Sequence, residues 1–172
     1  MKTFFKILLV ILVISCSSND SNSVSSSFSA KINGVDFQAS TKEAILLNSN
    51  NSDRTLSVVA ANLDNIISLQ FKSNITTTTC VELGTYTEQD AYLFLDYFLN
   101  DGLNTVSEHS SIFDNGSTSL ITVSSCANGK ISGTFSATLY KQATLQNEIE
   151  TPEIVEITEG KFENIKITYR ND

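Results

Sequence analysis

The chain has 172 residues, a length that suits one domain, with 11 Lys+Arg against 19 Asp+Glu and a net charge of −8. That balance excludes nucleic acid as a default partner, because binding phosphates needs clustered cations. Hydrophobic residues make up 41% and charged ones only 17%, so the chain buries a core and is not a disordered one, while a single His and no Trp leave little for chemistry built on those residues.

Met1 to Cys16 reads MKTFFKILLVILVISC. Lys2 and Lys6 form a basic start, and Ile7 to Ile14 is an unbroken apolar run of eight residues. At about 1.5 Å per residue the run spans roughly 12 Å, far short of a bilayer core of about 30 Å. Residues 1–15 are therefore expected to be a signal peptide and not a transmembrane helix. Val13-Ile14-Ser15-Cys16 resembles the lipobox of bacterial lipoproteins. The resemblance implies that Cys16 carries diacylglycerol and a further acyl chain, and that the membrane is a partner through this anchor. Several acyl chains at about 0.8 kcal/mol per buried CH₂ hold a protein on a membrane essentially permanently. Residues 16–27 then form a Ser/Asn tether, SSNDSNSVSSS after the cysteine. Asp20 alone is a partial match to an acidic surface-export signal, so the expected place is the outer membrane, on its periplasmic leaflet or at the cell surface.

In an exported chain the two remaining cysteines, Cys80 and Cys126, read first as one disulfide. Two buried thiols and a metal or redox site stay open. The metal reading has only His109 to add as an imidazole, and no Cys-x-x-Cys occurs.

Residues 28–172 read as a single all-β domain of about ten short strands joined by hairpins, an antiparallel sandwich or barrel. Phe28, Ala30 and Ile32 alternate before Asn33-Gly34; Val35, Phe37 and Ala39 alternate after it. Asn-Gly between alternating segments predicts a two-residue hairpin, because both turn positions need positive φ. Glu43 to Leu47 is a third strand, and Thr55 to Ala61 and Ile66 to Lys72 flank a further turn at Leu63-Asp64-Asn65. Ile75 to Thr79 is β-branched, Val81 to Thr87 follows, and the nearly continuous apolar run Ala91 to Leu99 reads as a strand rather than a short helix. Thr118 to Ser124 and Ile131 to Tyr140 flank Asn128-Gly129, with Ser132, Thr134, Ser136 and Thr138 on the wet face of the second strand. Ile154 to Thr158 and Phe162 to Tyr169, either side of Glu159-Gly160, read as a closing hairpin.

Phe28 to Val35 (FSAKINGV), Gly84-Thr85-Tyr86, Ile131 to Ser136 (ISGTFS) and Ile157 to Phe162 (ITEGKF) together resemble an uncharacterised lipoprotein family of Bacteroidota. The resemblance covers most of residues 28–169. It implies a lineage and a domain boundary, and no reaction.

Searching for chemistry, His109 is the only general base at neutral pH and reads as an ordinary solvated side chain in a polar stretch. No Gly-x-Ser-x-Gly, His-Glu-x-x-His or phosphate-binding glycine loop occurs. Glu82, Glu88, Asp90 and Asp96 lie near Tyr86, Tyr92 and Tyr97. Asp96 interrupts an apolar run, so it must be paired or face water. Tyr86, Tyr92, Asp96 and Tyr97 are the candidate ligand-binding residues, for a glycan or protein partner. No cofactor and no metal site is expected, and Asp101 or Asp114 as a calcium ligand has no ligand spacing behind it. The expectation is a non-catalytic binding or assembly module of the envelope; a small carboxylate-dependent glycan hydrolase and a purely structural envelope protein are the alternatives.

Overall fold

The computed structural model describes residues 25–48, 53–74, 80–87, 93–100, 106–111, 116–141 and 153–171. The expected signal peptide, Cys16, most of the expected tether, Ile75 to Thr79, Glu88, Asp90, Tyr92, Asp101 and Asp114 lie outside them. The described residues form eleven strands and no helix: β1 (Ser27–Ile32), β2 (Val35–Gln38), β3 (Thr41–Asn48), β4 (Asp53–Ala61), β5 (Asn65–Asn74), β6 (Gly84–Thr87), β7 (Phe94–Asn100), β8 (Val106–Ser110), β9 (Thr118–Ala127), β10 (Lys130–Lys141) and β11 (Ile154–Asn171). The all-β expectation holds.

The Asn-Gly turns are as predicted. Asn33 and Gly34 have φ of 49° and 79°, Asn128 and Gly129 have 53° and 68°, and each pair closes a tight hairpin. The β4–β5 hairpin is held differently: Asn62 Oδ1 accepts from the backbone N–H of both Asp64 (3.1 Å) and Asn65 (2.8 Å).

Strand order in the sheet is β2-β1-β11-β3-β4-β5-β7-β8-β10-β9-β6, and β11 also pairs with β10. The hydrogen-bonded circuit from β11 through β3, β4, β5, β7, β8 and β10 thus returns to β11, a barrel-like closure with β1–β2 and β9–β6 as flaps. Among the pairings of the described strands, β11–β3 alone is parallel. Closure at β8–β10 rests on two registered pairs, Tyr140 with Ser110 and Lys141 with His109.

The expected closing hairpin is instead one continuous strand of 18 residues. Its inward residues are Val155 and Ile157, then Gly160 and Phe162, then Ile165 and Ile167. The alternation skips twice, and at each skip the register against β10 shifts, between Phe135/Ala137 and between Ile131/Gly133. These are β-bulges, with Glu159 (φ 51°) and Asn164 (φ 52°) in the left-handed region. Each extra residue keeps the apolar set on the core side across a break that otherwise looks like a turn. Gly160 is not a turn glycine either. A Cβ there would sit 2.4 Å from the Phe135 carbonyl oxygen and 2.6 Å from its ring.

Inside, Phe28 stacks on Phe135 (5.0 Å) and edge-on to Phe37 (6.2 Å), tying the β1–β2 flap to the wall. Leu46, Leu56, Ile67, Leu69, Leu95 and Leu139 are fully buried from the other strands. Each such side chain contributes roughly 1.5–3 kcal/mol by leaving water. Cys80 and Cys126 lie at disulfide distance with Cα atoms 6.0 Å apart and a sequence separation of 46, fastening the approach to edge strand β6 onto the end of β9. The first of the three readings of these cysteines is the one seen.

Gly160→Ala is expected to destabilise the fold by about 1–3 kcal/mol in urea unfolding, through overpacking against Phe135. Lys161→Ala, an outward neighbour, should change it by less than about 0.5 kcal/mol. Equal effects would contradict a single bulged β11.

Candidate functional site

Alternation along β7 turns Leu93, Leu95 and Tyr97 inward and Phe94, Asp96 and Phe98 outward. Asp96 stands in register between Ser68 of β5 and Ser110 of β8, and Ser110 in turn opposes Tyr140 of β10. The Ser110 hydroxyl donates a hydrogen bond to the Asp96 carboxylate. Burial raises the Asp96 pKa above its usual value, against the opposing pull of that hydrogen bond. Glu108 lies diagonally across, opposite Phe98. Its pKa is raised too, first by burial and then by the charge of Asp96. The sequence did mark Asp96, but its partners are serines and a carboxylate, not tyrosines.

Tyr97 points into the core at 6% exposure and donates to Asn65 Oδ1 (2.6 Å), and burial raises its phenol pKa. Tyr86, on edge strand β6, lies against the Phe71 ring at 4.5 Å and donates to the Glu82 carbonyl oxygen (2.6 Å). Asp96 and Tyr97 thus face opposite sides of one strand, and the described candidates do not form one patch. His109 is not solvated: it is fully buried, its ring 5.8 Å from that of Tyr97. The stretch Val106 to Ser110 carries no apolar alternation, so neither β8 nor the inward position of His109 was visible in it.

Sequence reasoning also missed a set of buried serines beside the narrow β8–β10 closure. Ser111 Oγ accepts from the Leu95 N–H (2.8 Å), and the Ser111 N–H donates to the Leu95 carbonyl (3.0 Å). Ser117 Oγ donates to the Ser110 carbonyl (3.0 Å) and accepts from the Tyr140 N–H (3.0 Å). Hydroxyls replace ladder bonds here, so these serines hold the wall and are poor nucleophile candidates. Their mark in the sequence is only Ser110-Ser111 and Ser117-x-Ser119, two among many serine pairs.

A second site lies on the opposite kind of surface, the outer face of β9, β10 and β11. A shallow depression of about 500 Å³ is lined there by Thr118, Leu120, Ser136, Thr138, Glu156 and Thr158 among others. It opens over the Glu159 bulge, where β11 spreads an extra residue opposite Ser136. Asn33 fixes one rim from the β1–β2 turn, donating its N–H to the Glu156 carbonyl and accepting the Glu156 N–H on Oδ1, both at 2.8 Å. On the β1 side of the bulge, over a separate depression, Lys31 forms an ion pair with Glu159 at 2.7 Å. That pair raises the Lys31 pKa, through its hydrogen bond first and its charge second. Leu120, 41% exposed, supplies an apolar floor. Among the described residues no group of three or more His, Cys, Asp or Glu is arranged to hold a metal ion.

No protein-family model matches the chain, and no curated protein or solved structure matches it either.

Raised carboxyl pKa values bind protons more tightly in the folded state. Stability from Asp96 and Glu108 is therefore fullest below their unfolded values and is lost as pH rises through the folded ones. Asp96→Asn is expected to raise the melting temperature at pH 7 and to converge on the parent as pH falls toward the ordinary aspartate value of about 3.9. A variant less stable than the parent at pH 7 would show that the Asp96 charge supports the wall.

Proposed function

We propose that the protein is a lipid-anchored module of the bacterial envelope that binds a polar ligand, without catalysis, on the outer face of β9–β10–β11. The anchor rests on the basic start, the short apolar run and Ser15-Cys16. The binding role rests on one observation, the depression over the Glu159 bulge with the Glu156 N–H and C=O both held by Asn33. A residue held that way presents its side chain in a fixed place, which is what recognition of a small polar group requires.

The hydrolase alternative draws on Asp96 and Glu108, the one carboxyl pair with shifted pKa values on a common outer wall. Hydrolysis with two carboxyls asks for one protonated and one ionised member. Burial raises both members of this pair, so the shifts by themselves do not assign one as acid and the other as base.

Cys16→Ala is the test of the anchor. The parent should label with palmitate and stay with membranes through a high-salt wash. The variant should accumulate as unprocessed precursor without label. A variant that matures and labels like the parent would defeat the reading.

A further inference from the structure

We infer that the depression on β9–β10–β11 is a site for a neutral, polyhydroxylated ligand, a glycan whose neighbouring hydroxyls are gripped by the Glu156 carboxylate. The inference rests on the proposed binding role of the same face and names its ligand class.

The three strands are internal to the sheet. β9 lies between β6 and β10, β10 between β9 and β11, and β11 between β10 and β1 in this region. Along β10, β11 and Leu120 to Val123 of β9 the backbone N–H and C=O groups are committed to ladders, so a peptide finds no free edge there to extend as a further strand. Recognition falls to side chains. Those available are the hydroxyls of Thr118, Ser136, Thr138 and Thr158, one carboxylate from Glu156 and the methyl groups of Leu120. Hydroxyls both donate and accept, and so answer the hydroxyls of a sugar one for one. A carboxylate takes two neighbouring O–H donors at once, with charge-assisted strength. Leu120 meets the C–H face of a ring.

Charge narrows the class further. Glu156 takes no part in the ion pairs of the described residues, whereas the neighbouring cation Lys31 is taken by Glu159. The depression therefore offers a negative centre and repels anionic glycans and acidic peptides. An apolar partner finds too little, since Leu120 is the one strongly exposed large hydrophobic residue among those lining it.

The backbone is also built for the place. Glu159 holds a left-handed φ of 51°, a conformation that side-chain-bearing residues seldom adopt. Gly160 next to it admits Phe135 where any Cβ would collide. Together they open the outer surface between Ser136 and Thr158 while keeping the core sealed below.

The test uses the full-length protein in detergent against immobilised neutral oligosaccharides of several ring configurations, with polygalacturonate and an acidic peptide as anionic probes. A neutral oligosaccharide should bind, with affinity falling at least tenfold in Glu156→Gln and in Thr138→Val, and unchanged in Glu43→Gln on a different wall. Both site positions are on the outer face, and matching melting temperatures would confirm that the variants fold. Neutral binding that survives Glu156→Gln and Thr138→Val would overturn the site. Binding of polygalacturonate or the peptide alone, abolished by Lys31→Gln, would overturn the ligand class and leave the binding role standing. Failure to hold any probe would overturn both.

Discussion

Everything in this fold hangs on β11 being paired along both edges. One edge carries β10 from Ile154 to Lys166; the other carries β1 over Ile157 to Glu163 and then β3 from Ile167 onward. β1 runs antiparallel to it and β3 parallel, so the two leave the same region of β11 in opposite directions. One edge can serve two neighbours only because the strand is 18 residues long and bends at Glu159 and Asn164. The barrel-like closure, the β1–β2 flap and the outer depression are all consequences of that bent strand.

The two walls it joins have different characters. On the β5–β7–β8 side, Asp96, Glu108 and Ser110 are partly or wholly sunk among aromatic neighbours, and burial pushes the carboxyls toward neutrality. On the β9–β10–β11 side the outward positions are hydroxyls on a well-bonded sheet, with charges such as Lys31–Glu159 and Lys161–Glu163 paired at the surface. Exposed pairs of that kind add little stability, so their service is to set the charge pattern. Depth decides which carboxylate can meet a ligand: Glu156 is exposed and Asp96 is not.

Much of the fold was legible because most strands keep strict alternation. β10 shows it plainly: Ile131, Gly133, Phe135, Ala137 and Leu139 face in while Ser132 to Thr138 face out on the alternate positions. The Asn-Gly turns were legible for a local reason, their demand for positive φ. What escaped lies where alternation is interrupted or silent. In β11 each bulge shifts the period by one residue, and a Glu-Gly pair at the shift mimics a turn. In β8 the inward residue is a histidine among polar neighbours, recognisable only from its partner Tyr97 across the ladder. The candidate site suffered both difficulties. Its floor and rim come from three strands far apart in sequence, and threonines and serines in that number give no reason to single out Thr138 or Thr158. The tyrosines drew attention by their size, and size is what places Tyr97 in the core.

The position of β11 along the chain has a kinetic side. Ser27 meets Glu163 across 136 residues of sequence, and β3 waits for the same strand. Until the last of the eleven strands is available, the first and third have an empty edge where β11 belongs, and the phenylalanines that cross from flap to wall have no wall. Long-range pairing of this kind folds slowly. A chain ordered in this way cannot complete its sheet early, so the edges of its first and third strands stay open to other chains until β11 is in place.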